Sequence, residues 1–108
     1  MKKHIILTLV GLSVAALTGM AGDVDGKAVW DKHCKKCHAE DGSGNTAIGK
    51  KLELKDYTKK ETLAEYTDEQ LAKDTKEGVE GTKMKGYGEK LSDEEINALV
   101  AYMRAMSQ

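Results

Sequence analysis

Proline and phenylalanine are absent from this chain of 108 residues, cysteine occurs twice, and one tryptophan accompanies four tyrosines. Each shortage excludes something. Without proline there is no cis-prolyl turn, on which thioredoxin-like redox folds rely beside their paired thiols. A structural zinc site with four Cys/His ligands in two separated pairs is a poor fit, because beyond the cluster Cys34, Cys37 and His38 the only histidines are His33, next to it in sequence, and His4 near the start. Beyond residue 21 the β-branched apolar residues are Val24, Val29, Ile48, Val79, Ile96 and Val100. Strands are therefore disfavoured, and an all-α fold is expected. Neither sign of charge dominates: 17 basic side chains face 18 acidic ones, without the strong basic excess of a nucleic-acid surface. No acid/base pair, metal triad or nucleophile constellation is visible, so enzymatic chemistry is not expected.

The first residues carry a pattern of their own. Lys2, Lys3 and His4 precede a mostly apolar stretch from Ile5 to Leu17, and the small-x-small triplet Gly19-Met20-Ala21 follows. These are the three parts of a secretory signal peptide, 1–21. The apolar stretch is shorter than the roughly 20 residues of a bilayer span, and an uncleaved N-terminal anchor is the alternative. Removal of the leader leaves 22–108, which is 87 of the 108 residues. So small a domain has a marginal core and needs a staple. Its aromatics are only Trp30, Tyr57, Tyr66, Tyr87 and Tyr102, so a buried prosthetic group would supply missing apolar volume.

Cys34-Lys35-Lys36-Cys37-His38 points to that group. Two cysteines three apart with histidine directly following read as a covalent attachment site for c-type haem. On one helical turn the thiols stand beside the two porphyrin vinyl groups, and the imidazole of His38 swings under the iron. A plain disulfide is the alternative, but so short a loop stabilises little, and His38 would be left unexplained.

The first helix is expected from near Val24 into this motif, with Gly26, Val29, Trp30, His33, Cys34 and Cys37 along one face. Residues 39–51 are rich in glycine and polar residues and read as a loop, followed by Leu52 and Leu54 as pocket-lining residues. Three pairs have the capping-box spacing: Thr58 with Glu61, Thr67 with Gln70, and Ser92 with Glu95. They predict helices to about Glu65, to Glu77 with a stop at Gly78, and at the C-terminus. In the last helix Ile96, Leu99, Val100 and Met103 form one apolar stripe.

A haem iron held by one histidine has a sixth position whose occupant decides the chemistry. Beyond the leader the thioether candidates are Met84, Met103 and Met106. Met103 belongs to the apolar stripe, and Met106 is expected at a fraying end. Met84 stands alone in the irregular segment 81–88 and is the expected ligand, a methionine filling a core gap being the alternative. His33 is too close to His38 in the chain to reach the opposite face.

With these features the chain resembles class I c-type cytochromes, especially the small bacterial single-haem ones. The likeness runs through Gly26 and Trp30, Cys34-x-x-Cys37-His38, the glycine-rich loop leading to Leu52, Met84, and Leu99 with Tyr102. It implies a small cytochrome c fold in which Gly26 and Trp30 of the first helix pack on Leu99 and Tyr102 of the last. It implies one covalent haem c in the core, bound by Cys34 and Cys37, with iron between His38 and Met84. Two departures accompany it: many relatives carry proline after the haem motif and after the ligand methionine. Here those places read Ala47-Ile48-Gly49-Lys50 and Met84-Lys85-Gly86, which leaves open the carbonyl partner of His38 and implies a less rigid Met84 loop.

The function implied is that of a periplasmic electron carrier, since c-type haem is attached outside the bacterial cytoplasm in families with this motif. A haem sensor or peroxidase-like protein with an open or labile sixth position is the main alternative. A membrane-anchored cytochrome, or a subunit of a larger oxidoreductase, is another. A monomer with no membrane span after leader cleavage is expected, its partners being redox proteins. Lys35, Lys36, Lys83 and Lys85 flank the haem motif and Met84, and would form the docking edge. Residues 61–80 hold seven acids against two lysines, and are expected as the far pole of a charge dipole.

Overall fold

The computed structural model describes residues 24–107, so the leader read at 1–21 lies outside the described residues. Six helices follow one another: α1 Gly26–His33, α2 Lys35–His38, α3 Ala47–Leu52, α4 Lys60–Ala64, α5 Asp68–Glu77 and α6 Asp93–Ala105. Extended pairing among the described residues is limited to one isolated bridge between Gly78 and Lys85. None of these helices is long and apolar enough to cross a membrane.

Helix α1 starts where the Asp25 carboxylate accepts from the Lys27 N–H at 3.0 Å. It breaks at Cys34, and the chain re-enters a short helical turn, so the haem motif straddles the break. Ala39, at φ 77, ends that turn in a conformation unusual for a residue with a Cβ. The Trp30 Nε1–H donates to the Ala39 carbonyl at 2.9 Å in the interior and holds the turn there.

Two local expectations fail. The second half of the supposed loop 39–51 is helix α3, capped by Thr46, whose Oγ1 accepts from Gly49 N–H at 2.8 Å and donates to the Cys37 carbonyl at 2.7 Å. Six residues are too few to show a helical period, and the cap is held by a tertiary bond that no local pattern reveals. The box expected at Thr58 and Glu61 is also absent. Thr58 turns its N–H and hydroxyl to Asp56, and α4 begins one residue later behind Lys59 with no side-chain cap. A local Asp turn has outcompeted the helix cap. The boxes at Thr67/Gln70 and Ser92/Glu95 form in both directions.

The first and last helices cross at the centre. Trp30 and Leu99 are the most buried residues, each 1% exposed, and Val29, Ile96, Val100 and Met103 surround them. The indole of Trp30 lies 6.1 Å from the Tyr102 ring. A Cβ on Gly26 would lie 2.3 Å from the Ala98 carbonyl oxygen, so only glycine permits this approach. Arg104 then ties α6 to the turn between α4 and α5, donating to the Leu63 and Tyr66 carbonyls at 2.7 and 2.6 Å and to Asp68 at 2.9 Å. Met106 is not a loose end, because it packs on the core and its sulfur fills the space beside Gly42.

Candidate functional site

Between these helices lies a cavity of about 610 Å³, within the usual range of about 300–1,000 Å³ for small-molecule and cofactor sites. One wall is Cys34, Cys37 and His38, presented by the broken α1–α2 segment; the Met84 loop forms another. Leu63, Leu71, Leu99 and Met103 supply apolar lining, and Leu52 and Leu54 line it as expected. All four residues that the sequence singles out, Cys34, Cys37, His38 and Met84, therefore border one space.

The chemistry of the wall suits an iron porphyrin. Cys34 and Cys37 are free thiols, and burial, then the neighbouring Cys37 thiol, pushes the Cys34 thiol up to about 11. That is the opposite of the lowered pKa of a redox-active thiolate pair. Burial also holds the pKa of His38 below the ordinary histidine value, which keeps the imidazole neutral, the form that binds metals. Its Nδ1 is buried without a hydrogen-bond partner. What orients the ring is aromatic packing: Tyr57 stacks on it at 5.3 Å and 20°, and Trp30 lies 5.6 Å away. Nothing in the sequence singles out Tyr57 for this role, since its contact with His38 spans 19 positions and leaves no local signal.

Met84 is half-buried in a loop that hydrogen bonds brace where proline is missing. The Val79 N–H donates to the Met84 carbonyl at 3.0 Å, and the Met84 N–H to Thr82 Oγ1 at 3.1 Å, while Thr82 Oγ1 donates to the Val79 carbonyl at 2.7 Å. The exit is tied to the end of α5 by Tyr87 N–H to the Thr75 carbonyl and Gly88 N–H to that of Lys76, at 2.8 and 3.0 Å. Gly86 allows this approach, for a Cβ there would lie 2.5 Å from the Lys76 carbonyl oxygen.

Three of the seven acids of 61–80 lie near the Met84 loop rather than far from it. Asp74 lines the same cavity as Lys83 and Lys85. Asp74, Glu77 and Glu80 also share with Met84 a cleft of about 590 Å³. The reason is topological: α5 runs directly into the Met84 loop, so its last acids lie beside the loop.

Residues 24–107 match the cytochrome c family over the whole described chain. The chain belongs to the cytochrome c family. This cytochrome is accordingly a haem-binding electron-transfer protein, and its cofactor is covalently attached haem c with its iron. Among solved structures it is similar to the KustC0563 c-type cytochrome, with 33% identity and a TM-score of 0.72 over 79% of this chain and 100% of that one. A tyrosine-to-phenylalanine mutant of that protein gives 34% identity and a TM-score of 0.69, covering 77% of this chain and 99% of the mutant. A dihydro-haem d1 dehydrogenase of Pseudomonas aeruginosa is 30% identical over 103 residues, 90% of this chain. The chain spans only 19% of that dehydrogenase's length.

Proposed function

We propose that this cytochrome is a periplasmic electron carrier, 22–108 forming a single-haem domain after loss of the leader 1–21. The haem is bound through Cys34 and Cys37, with His38 and Met84 as the axial ligands of iron. The observation that carries the reading is that Cys34, Cys37, His38 and Met84 all line one largely apolar cavity. A bound haem c supplies a one-electron ferric/ferrous couple. Cys34 and Cys37 would hold it through thioether bonds. Neutral His38, held against Tyr57 and Trp30, offers its lone pair without first losing a proton. Met84 would supply a thioether ligand, which favours a higher potential than harder ligands do.

Intact mass of the exported protein should equal the chain from about Gly22 plus one haem, and colour should survive acid-acetone extraction. A colourless extracted polypeptide would overturn the reading.

Redox partners dock, in this reading, at the edge flanked by Lys35, Lys36, Lys83 and Lys85. Lys35 and Lys36 are exposed, and Lys83 and Lys85 border the cavity. Asp74 on the same rim limits the orientations an acidic partner can take. Electron-transfer rate should fall with added salt, since such steering is screened beyond about 10 Å at 0.1 M, and Lys83→Glu with Lys85→Glu should slow it further. Rates indifferent to salt and to both reversals would remove lysine-steered docking.

One observation favours a second reading, an electron-relaying part of a larger oxidoreductase: the likeness to the dihydro-haem d1 dehydrogenase. Co-purification with a catalytic partner would decide for it.

A further inference from the structure

We propose that His33 couples a proton to the electron, its imidazole taking up a proton from solvent when the haem is reduced and releasing it on oxidation. The inference rests on the haem-carrying reading above. His33 closes α1 immediately before Cys34, is half-buried, and lines the cavity. Nothing in the electron-transfer chemistry described so far uses it. Its ring meets that of Tyr87 edge-on, with centroids 5.5 Å apart at 64°. The Tyr87 hydroxyl donates to the His33 carbonyl at 3.3 Å, and the Tyr87 N–H is itself tied to Thr75. This clasp keeps the imidazole at the cavity wall, with enough exposure to exchange protons with water.

Histidine is the side chain whose charge ordinarily changes between about pH 5 and 8. Lysine and carboxylate side chains ordinarily change theirs outside that range. Lys32 and Lys35 flank it in the chain, and Lys90 stands over the Tyr87 ring at 5.8 Å. Glu53, Lys55, Asp74, Lys83 and Lys85 line the same cavity. The other histidine lining the cavity, His38, is assigned to the iron in the reading above, which leaves His33 as the cavity-lining histidine able to answer a change there.

The step balances simply. One electron arrives from the redox partner and one proton from water, ferric iron becomes ferrous, and the His33 imidazole becomes imidazolium. The added electron removes one positive charge from the site, so a cation at its wall is less unfavourable. By linkage, a protonated His33 raises the potential in the same proportion. Across a wall partly open to solvent the coupling corresponds to roughly a two- to tenfold change in proton affinity.

The test uses the haem-loaded protein. Its His33 ring protons are followed by NMR against pH in both oxidation states, and the potential is measured over the same range for wild type and His33→Gln. The expected result is a titration about two- to tenfold tighter in the ferrous protein, and a potential that falls as pH rises in wild type but much less in H33Q. Coincident titrations in a haem-bearing protein would overturn this inference alone. So would an undiminished pH dependence in H33Q, which would assign the proton to the carboxylates of the haem. A protein lacking covalent haem would instead overturn the reading beneath it.

Discussion

Replacing Met84 by alanine should yield a folded, haem-bearing protein whose sixth position is open. The oxidised spectrum should become high-spin or exchange ligands, the ferrous protein should bind carbon monoxide readily, and the potential should fall. The fold should survive, because Met84 sits half-buried in a loop whose backbone is held by Val79, Thr82 and the end of α5. Met103 is the rival to be separated, for it too borders the cavity. It lies on the apolar face of α6 at 6% exposure, and Met103→Ala should cost about 2–5 kcal/mol of stability while the axial spectrum persists. Unchanged oxidised and reduced spectra in Met84→Ala would remove Met84 from the iron. The same carbon monoxide measurement on wild type tests the sensor or peroxidase-like alternative, since a protein with both axial positions filled should bind the gas weakly near neutral pH.

Gly26→Val should be among the most destabilising substitutions in the chain. Already the first carbon of a side chain would lie 2.3 Å from the Ala98 carbonyl oxygen, 2.9 Å from the carbon bearing it, and 2.9 Å from Tyr102 Cβ. Two of these obstacles are backbone, which cannot rotate aside. Either α1 must shift or α6 must, and both movements part Trp30 from Leu99, the two most buried side chains. Overpacking of this kind costs about 3 kcal/mol or more when the backbone must yield. In a domain of this size that lowers the melting temperature by roughly 12–24 °C. Thermal unfolding of the haem-loaded proteins, followed by circular dichroism, measures the difference. A variant melting with wild type would show that the crossing tolerates a side chain and that Gly26 is not what sets the helix separation.

The spacing of Cys34, Cys37 and His38 is set locally, within one helical turn. The α6 stripe and the caps at Thr67 and Ser92 are equally local, and all form as their spacing predicts. Folding alone decided the rest, because the contacts concerned join distant positions. Thr46 reaches back to Cys37 and makes a helix where composition reads as loop. Tyr57 stacks on His38 and orients it without a carbonyl bond to Nδ1. Asp74 comes to line one cavity with Lys83 and Lys85 because α5 leads into the Met84 loop, and Glu77 and Glu80 border the cleft next to Met84. Residue spacing records the contacts of one turn with the next; which turns meet depends on the burial of Trp30 and Leu99 at the α1–α6 crossing.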